Sequence, residues 1–137
     1  MAHVFTYGSL MFAPVWERVV RGNYVRSDAV LKGFKRRRFE GEEYPGILPS
    51  PRSKVTGVIY FDVGEDDLAA LDAFEGEYYL RGTETLRLND VATVQADVYV
   101  VRPEFAHLMS DEQWSPEQFE KEGMAPFIDK YVGFEAL

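Results

Sequence analysis

The residues best suited to chemistry lie in "EDDLAALDAFEGEYYLRG", Glu65 to Gly82. On a helical wheel of about 100° per residue, with Leu68 at zero, Leu71 falls near −60°, Asp72 near +40° and Glu75 near −20°. Glu75 therefore projects between two leucines, on the face expected to pack inward. Burial there raises a carboxyl pKa. The unpaired carbonyls of a last helical turn push the same way. A glutamate tuned upward suits proton transfer near neutral pH. Two other arrangements fit the same spacing. Glu75 could be ion-paired with Arg81, or exposed if the helix stops early.

Other polar residues carry weaker signals. Ser9, in "TYGSL", lacks the Gly-x-Ser-x-Gly setting of a nucleophile elbow. His3 and His107 lack metal-ligand spacing and read as structural or surface residues. Asp66 and Asp67 open a helix, where the macrodipole favours acids. Lys35-Arg36-Arg37-Arg38 reads as a solvated edge strand in preference to an anion site. Its alternating side chains require at least one carboxylate partner or a sheet edge. Tyr44 is a pocket wall or a packing residue. Trp114, Phe119, Phe127, Tyr131 and Phe134 read as core or lid.

These residues need elements to hold them. Strands are expected over His3–Tyr7, Tyr24–Phe34 and Lys54–Val63, the last β-branched and aromatic. Tyr79–Leu88 and Ala92–Arg102 form an antiparallel pair turning at Asn89-Asp90. Short strands are expected around Arg36–Phe39 and Gly46–Leu48. The Pro-rich "YPGILPSP", Tyr44–Pro51, reads as a loop crossing the barrel. Helices are expected over Ala13–Val20, Glu65–Glu75 and the tail after Pro103. Ser115 is a cap there, with Pro116 at the first helical position. Many strands with few helices predict an α+β closed or nearly closed barrel, whose mouth can hold a small ligand.

Composition bounds the partners. The 137 residues fit one domain, 1–137, with a real core. Net charge is −8, which disfavours nucleic acid. No apolar run reaches a membrane span, and no secretory pattern opens the chain. The lack of cysteine excludes thiolate metal sites and a cysteine nucleophile, and fits a cytoplasmic protein.

Two separated motifs, "VFTYGSL" and "LDAFEGEYYLR", resemble the gamma-glutamylcyclotransferase-like superfamily. The plant avirulence-induced-gene type and the gamma-glutamylamine cyclotransferases look most similar. "YPGI", "GVIYFDV" and "FIDKYVGF" add to the likeness, which covers nearly the whole chain. The resemblance implies a small mixed, mostly antiparallel β-barrel flanked by a few helices, with a cavity at one end. It implies that Glu75 is the catalytic acid/base. It implies that main-chain groups of Tyr7, Gly8, Ser9 and Leu10 hold a gamma-glutamyl moiety. Tyr44, Tyr79 and Arg81 complete the expected substrate site. The implied reaction closes the gamma-glutamyl group to 5-oxoproline and expels an amine or amino acid. It calls for no cofactor and no metal. The expected partner is a small gamma-glutamyl compound, and the expected state a monomer or weak homodimer. The competing expectation is a non-catalytic binding domain on the same barrel.

Overall fold

The computed structural model describes residues 2–137. Five strands close a barrel: β1 (Ala2–Thr6), β2 (Arg26–Arg38), β3 (Pro45–Val63), β4 (Tyr79–Arg87) and β5 (Thr93–Val101). Their order around the barrel is β1-β3-β2-β4-β5. Every neighbouring pair is antiparallel except β1 with β5, which closes the barrel in parallel. The barrel is thus mixed and mostly antiparallel, in an α+β fold.

The strand pattern accounts for two separate cores. Phe5, Leu31, Ile59, Leu86 and Val98 pack together, one from each of the five strands, and so fill the barrel interior. Val4, Tyr60 and Val63 belong to a second cluster with Trp16, Leu71, Phe74 and Phe127 from the helices. Alternation along β1, Val4 outward and Phe5 inward, assigns these faces.

Two sequence expectations change. Tyr44–Pro51 is not a crossing loop, because β3 begins at Pro45 and pairs with β2 from Arg38↔Pro45 to Phe34↔Pro49. Pro45 and Pro49 lie at the same parity along β3. Their missing N–H groups face the side that β1 joins only from Val58 onward, so no ladder bond is lost. Arg36–Phe39 is likewise no separate strand. It continues β2 past a register shift between Lys32 and Phe34, where Gly33 takes φ +89°.

The arginine run does not stand free in solvent. Arg38 pairs with Glu43 at 3.3 Å. Arg37 donates to the Arg36 carbonyl at 2.8 Å, and Arg36 donates to the carbonyls of Tyr7 and Thr56.

Helices α1 (Ala13–Val19) and α2 (Glu65–Glu75) pack on the outer core. Asp67, in the first turn of α2, is buried. It accepts from the N–H groups of Arg21 and Gly22 and from the Tyr24 hydroxyl. Burial opposes the charge, but these donors outweigh it and hold the carboxyl below its ordinary pKa. Gly76, with φ +80°, ends the helix by donating its N–H to Asp72. In the tail, Ser115 Oγ accepts from Gln118 N–H at 3.2 Å and caps α3 (Pro116–Gln118). A π-helical segment, Phe119–Gly123, leads into α4 (Met124–Lys130). Trp114, Phe119 and Phe127 are buried, so the tail is part of the core.

Candidate active site

A recess opens where β1 leaves the barrel. It is narrow, with about 30 Å³ open to the centres of water-sized molecules. Thr6, Tyr7, Gly8, Ser9 and Leu10 form one wall. Tyr44 and Pro45, at the start of β3, form a second, with Tyr79 beside them. Phe74 and Glu75, from the end of α2, face Phe127 and Tyr131 of the tail. Seven of the eight predicted site side chains and loop residues, all except Arg81, therefore meet at one place.

The loop after β1 is shaped by close approach. Ser9–Met11 forms a short 3-10 turn, with Ser9 and Leu10 buried. A Cβ on Gly8 would lie 2.9 Å from Pro45 Cγ, so this position needs glycine for space. Pro45 is held in turn by the Tyr79 hydroxyl, which donates to its carbonyl at 2.7 Å. The Tyr7 hydroxyl donates to the Tyr99 carbonyl at 2.6 Å, so its ring is a fixed wall. Among the described residues, neither the Tyr7 nor the Gly8 N–H donates a hydrogen bond.

Glu75 is half-buried as a residue, but protein hems in its carboxyl. Desolvation, reinforced by repulsion from Asp72, pushes its pKa up to about 8. Among the described residues no side chain or N–H hydrogen-bonds its carboxyl oxygens, and no sealed side-chain polar atom lacks a partner. The carboxyl oxygens therefore keep access to open space. The Glu75 carbonyl accepts from the Tyr131 hydroxyl at 3.2 Å, which ties the tail to the end of α2.

The phenols around Glu75 behave differently. Burial pushes Tyr7 and Tyr79 well above the ordinary tyrosine pKa, and the Glu75 charge adds to the shift. Tyr131 is raised by the same causes. Tyr44 is pushed up to about 12, chiefly by burial. These hydroxyls stay protonated at neutral pH and serve as donors. Glu75 alone among the lining groups changes charge near neutrality.

Arg81 does not reach the recess. Its guanidinium donates to Asp72 Oδ1 at 2.8 Å and to Asp97 Oδ2 at 2.5 Å. It clamps α2 against β4 and β5, and the Tyr99 hydroxyl adds a bond to Asp72 at 2.6 Å. The ion pair considered for Glu75 is made by Asp72, one helical turn earlier. Asp72 was visible on the same wheel, at the helix edge nearer the strand that carries Arg81. The remaining wall residues, Thr6, Pro45, Phe74, Phe127 and Tyr131, were not singled out as site residues, although each lies within one of the motifs that carry the resemblance.

Among the described residues, no three of His, Cys, Asp or Glu cluster to hold a metal ion. No described helix is long and apolar enough to cross a membrane.

The arrangement has relatives. The sequence pattern of the family described as "Gamma-glutamyl cyclotransferase, AIG2-like" matches residues 4–116. That span holds Tyr7 to Leu10 and Glu75, while Phe127 and Tyr131 lie beyond it. The chain is 32% identical over 134 residues to AIG2-like protein C of Arabidopsis thaliana, covering 94% of this chain and 77% of that one. A solution structure from Arabidopsis thaliana is similar, with TM-score 0.71 and 28% identity over 93% of this chain and 86% of that one. The crystal structure of an AIG2-like protein from Mus musculus has TM-score 0.58 and 25% identity, covering 85% of this chain and 96% of that one. By matched span, identity and fold, this chain belongs to the gamma-glutamyl cyclotransferase, AIG2-like family.

Proposed function

We propose that the protein is a gamma-glutamyl cyclotransferase with Glu75 as its general acid/base. The observation that carries this reading is a carboxyl with pKa about 8, free of protein hydrogen bonds, facing the Tyr7–Leu10 loop across one recess. The substrate is a gamma-glutamyl amine or amino acid. Its α-ammonium gives a proton to the Glu75 carboxylate. The freed amine attacks the γ-carbonyl carbon, forming the ring C–N bond. Glu75 then protonates the departing nitrogen as the original amide C–N bond breaks. The ring nitrogen, left with a surplus proton by the attack, passes it to the released amine, so the products are 5-oxoproline and an ammonium ion, and Glu75 returns to its carboxylate.

The nucleophile is tethered to its target, so little encounter entropy remains to be overcome. Charge develops on the γ-carbonyl oxygen, and the free loop N–H groups supply donors for it. Protonated Tyr44 and Tyr131 hydroxyls line the same space. Recognition of the substrate's α-carboxylate falls to main-chain N–H groups, because among the described residues no Lys or Arg side chain lines the recess.

The test is direct release of 5-oxoproline from gamma-glutamyl amines, gamma-glutamyl amino acids and glutathione, with the expelled amine quantified alongside. Equimolar product and amine are expected. In the free enzyme the active form is the carboxylate, so kcat/KM should rise with pH through about 8. It should level or fall once the substrate amine loses its own proton. The alternative is an inert binding pocket. It requires a carboxylate ligand to raise the melting temperature with no product formed. It also expects Glu75 to close on Arg81, which instead engages Asp72 and Asp97.

A further inference from the structure

We propose that Arg36 is a positioning residue for the Tyr7–Leu10 loop, holding the Tyr7–Gly8 peptide so that its N–H is presented to the recess. This rests on the cyclotransferase reading of that recess. Arg36 sits on β2 and is not among the residues that line the recess with Glu75. Its Nη1 donates to the Tyr7 carbonyl at 2.7 Å and to the Thr56 carbonyl at 3.1 Å. Its guanidinium lies over the Trp114 ring, 5.3 Å from the centroid. No carboxylate comes within ion-pairing distance of it among the described residues, Glu117 lying farther off. A half-buried cation is thus spent on two carbonyls and an indole face. One of those carbonyls belongs to the loop itself.

The geometry of the peptide gives this contact its consequence. The Tyr7–Gly8 bond is trans, so the Tyr7 carbonyl and the Gly8 N–H point in opposite directions. The carbonyl is held toward Arg36. The N–H therefore points away from Arg36, and Gly8 lines the recess. That N–H has no acceptor within the described protein. A charged donor on the carbonyl also polarises the peptide and strengthens the opposite N–H as a donor. Trp114 and Thr56 fix the guanidinium, so the orientation is set before any substrate arrives. An arginine run that reads as solvated surface is thereby tied to the site through Arg36.

The experiment uses the full chain labelled with nitrogen-15, as wild type, Arg36→Met and Arg36→Lys. In Arg36→Met, kcat on the fastest gamma-glutamyl substrate is expected to fall about 10–100-fold. KM is expected to change by less than about threefold, because the interaction lost is one made in the transition state. Arg36→Lys keeps a cationic donor without the planar fork and should restore part of kcat. In the ligand-free protein the Gly8 amide proton should move upfield and exchange faster in Arg36→Met, with Arg36→Lys in between. Should Arg36→Met fail to fold, the Arg36→Lys measurements decide on the same criteria. An unchanged Gly8 amide, or wild-type kcat in Arg36→Met, overturns the proposal. If wild type turns over no gamma-glutamyl compound but the Gly8 amide responds as described, the positioning stands and the cyclotransferase reading fails. If wild type is active, Glu75→Gln is dead and Arg36→Met is normal, the positioning alone fails.

Discussion

Glu75→Gln is expected to melt at a higher temperature than wild type at pH 8, with the difference closing toward pH 4.5. The folded carboxyl has a pKa of about 8, against an ordinary value of 4.5. Below the lower value both folded and unfolded chains carry the proton, and Glu75 costs the fold nothing. As pH rises the unfolded chain gives up its proton first, so stability falls across the interval and levels off above about 8. Gln carries no titrating proton and escapes this loss. The linkage relation, discounted for the half-burial of the residue, gives a difference on the order of 2–4 kcal/mol at pH 8. For a chain of this length that is a rise on the order of 5–15 °C in Tm. Scanning calorimetry of both proteins between pH 4.5 and 8.5 checks it. A gap that does not vary with pH, or a less stable Gln variant at pH 8, contradicts the burial assigned to this carboxyl. Retaining a destabilising group at the mouth of a recess is what a proton-transferring residue entails.

Gly57→Ala is expected to destabilise the protein by about 3 kcal/mol or more, by overpacking against backbone. Gly57 lies on β3 opposite Ala29. A Cβ there would fall 2.1 Å from the Thr6 carbonyl oxygen and 2.8 Å from Phe5 Cζ. Neither neighbour can yield cheaply. Thr6 is the last residue of β1 and is held by its own Oγ1 bond to the Val58 carbonyl at 2.9 Å. Phe5 is among the most buried side chains of the barrel interior. The clash falls at the seam that delivers the Tyr7–Leu10 loop, so turnover should fall with stability. Urea unfolding should show a lower midpoint with an unchanged slope. Gly82→Ala, on β4, has nothing within 4 Å of the added carbon and serves as the control. A Gly57→Ala protein within about 1 kcal/mol of wild type would mean that the β1–β3 seam is looser than its geometry states.

Much of this architecture was legible because local and tertiary preferences agree. The β4–β5 hairpin follows from its residue types. Its turn is closed by Asn89, whose side chain accepts from the N–H groups of Val91 and Ala92. Helix α2 begins on acids and ends on Gly76, as the residue order predicts. Glu75 was legible for the same reason, a charge placed on an apolar stripe. Tyr44–Pro51 was misread because proline normally argues against a strand. Only the register, with β1 joining β3 further along, reveals that the missing N–H groups are not needed. That Arg81 lies outside the recess was not legible, because its carboxylate partner depends on which side of α2 meets β4 and β5, a tertiary fact. Arg36 was misread for a similar reason. Its partners are two carbonyls and an indole contributed by distant segments, and no spacing rule announces a carbonyl acceptor. Phe127 and Tyr131 looked like core residues, and they are also walls of the recess.

The most direct test of Glu75 as the acid/base is 5-oxoproline release by wild type and Glu75→Gln on one gamma-glutamyl panel, with folding of both checked by calorimetry. Wild type should release 5-oxoproline and amine in equal amounts. The Gln variant, folded and more stable at pH 8, should lose at least about 100-fold in kcat, the scale of a missing proton-transfer group. A Gln variant that keeps turnover within about tenfold of wild type would contradict the assignment, since a group worth less than that is not managing the protons.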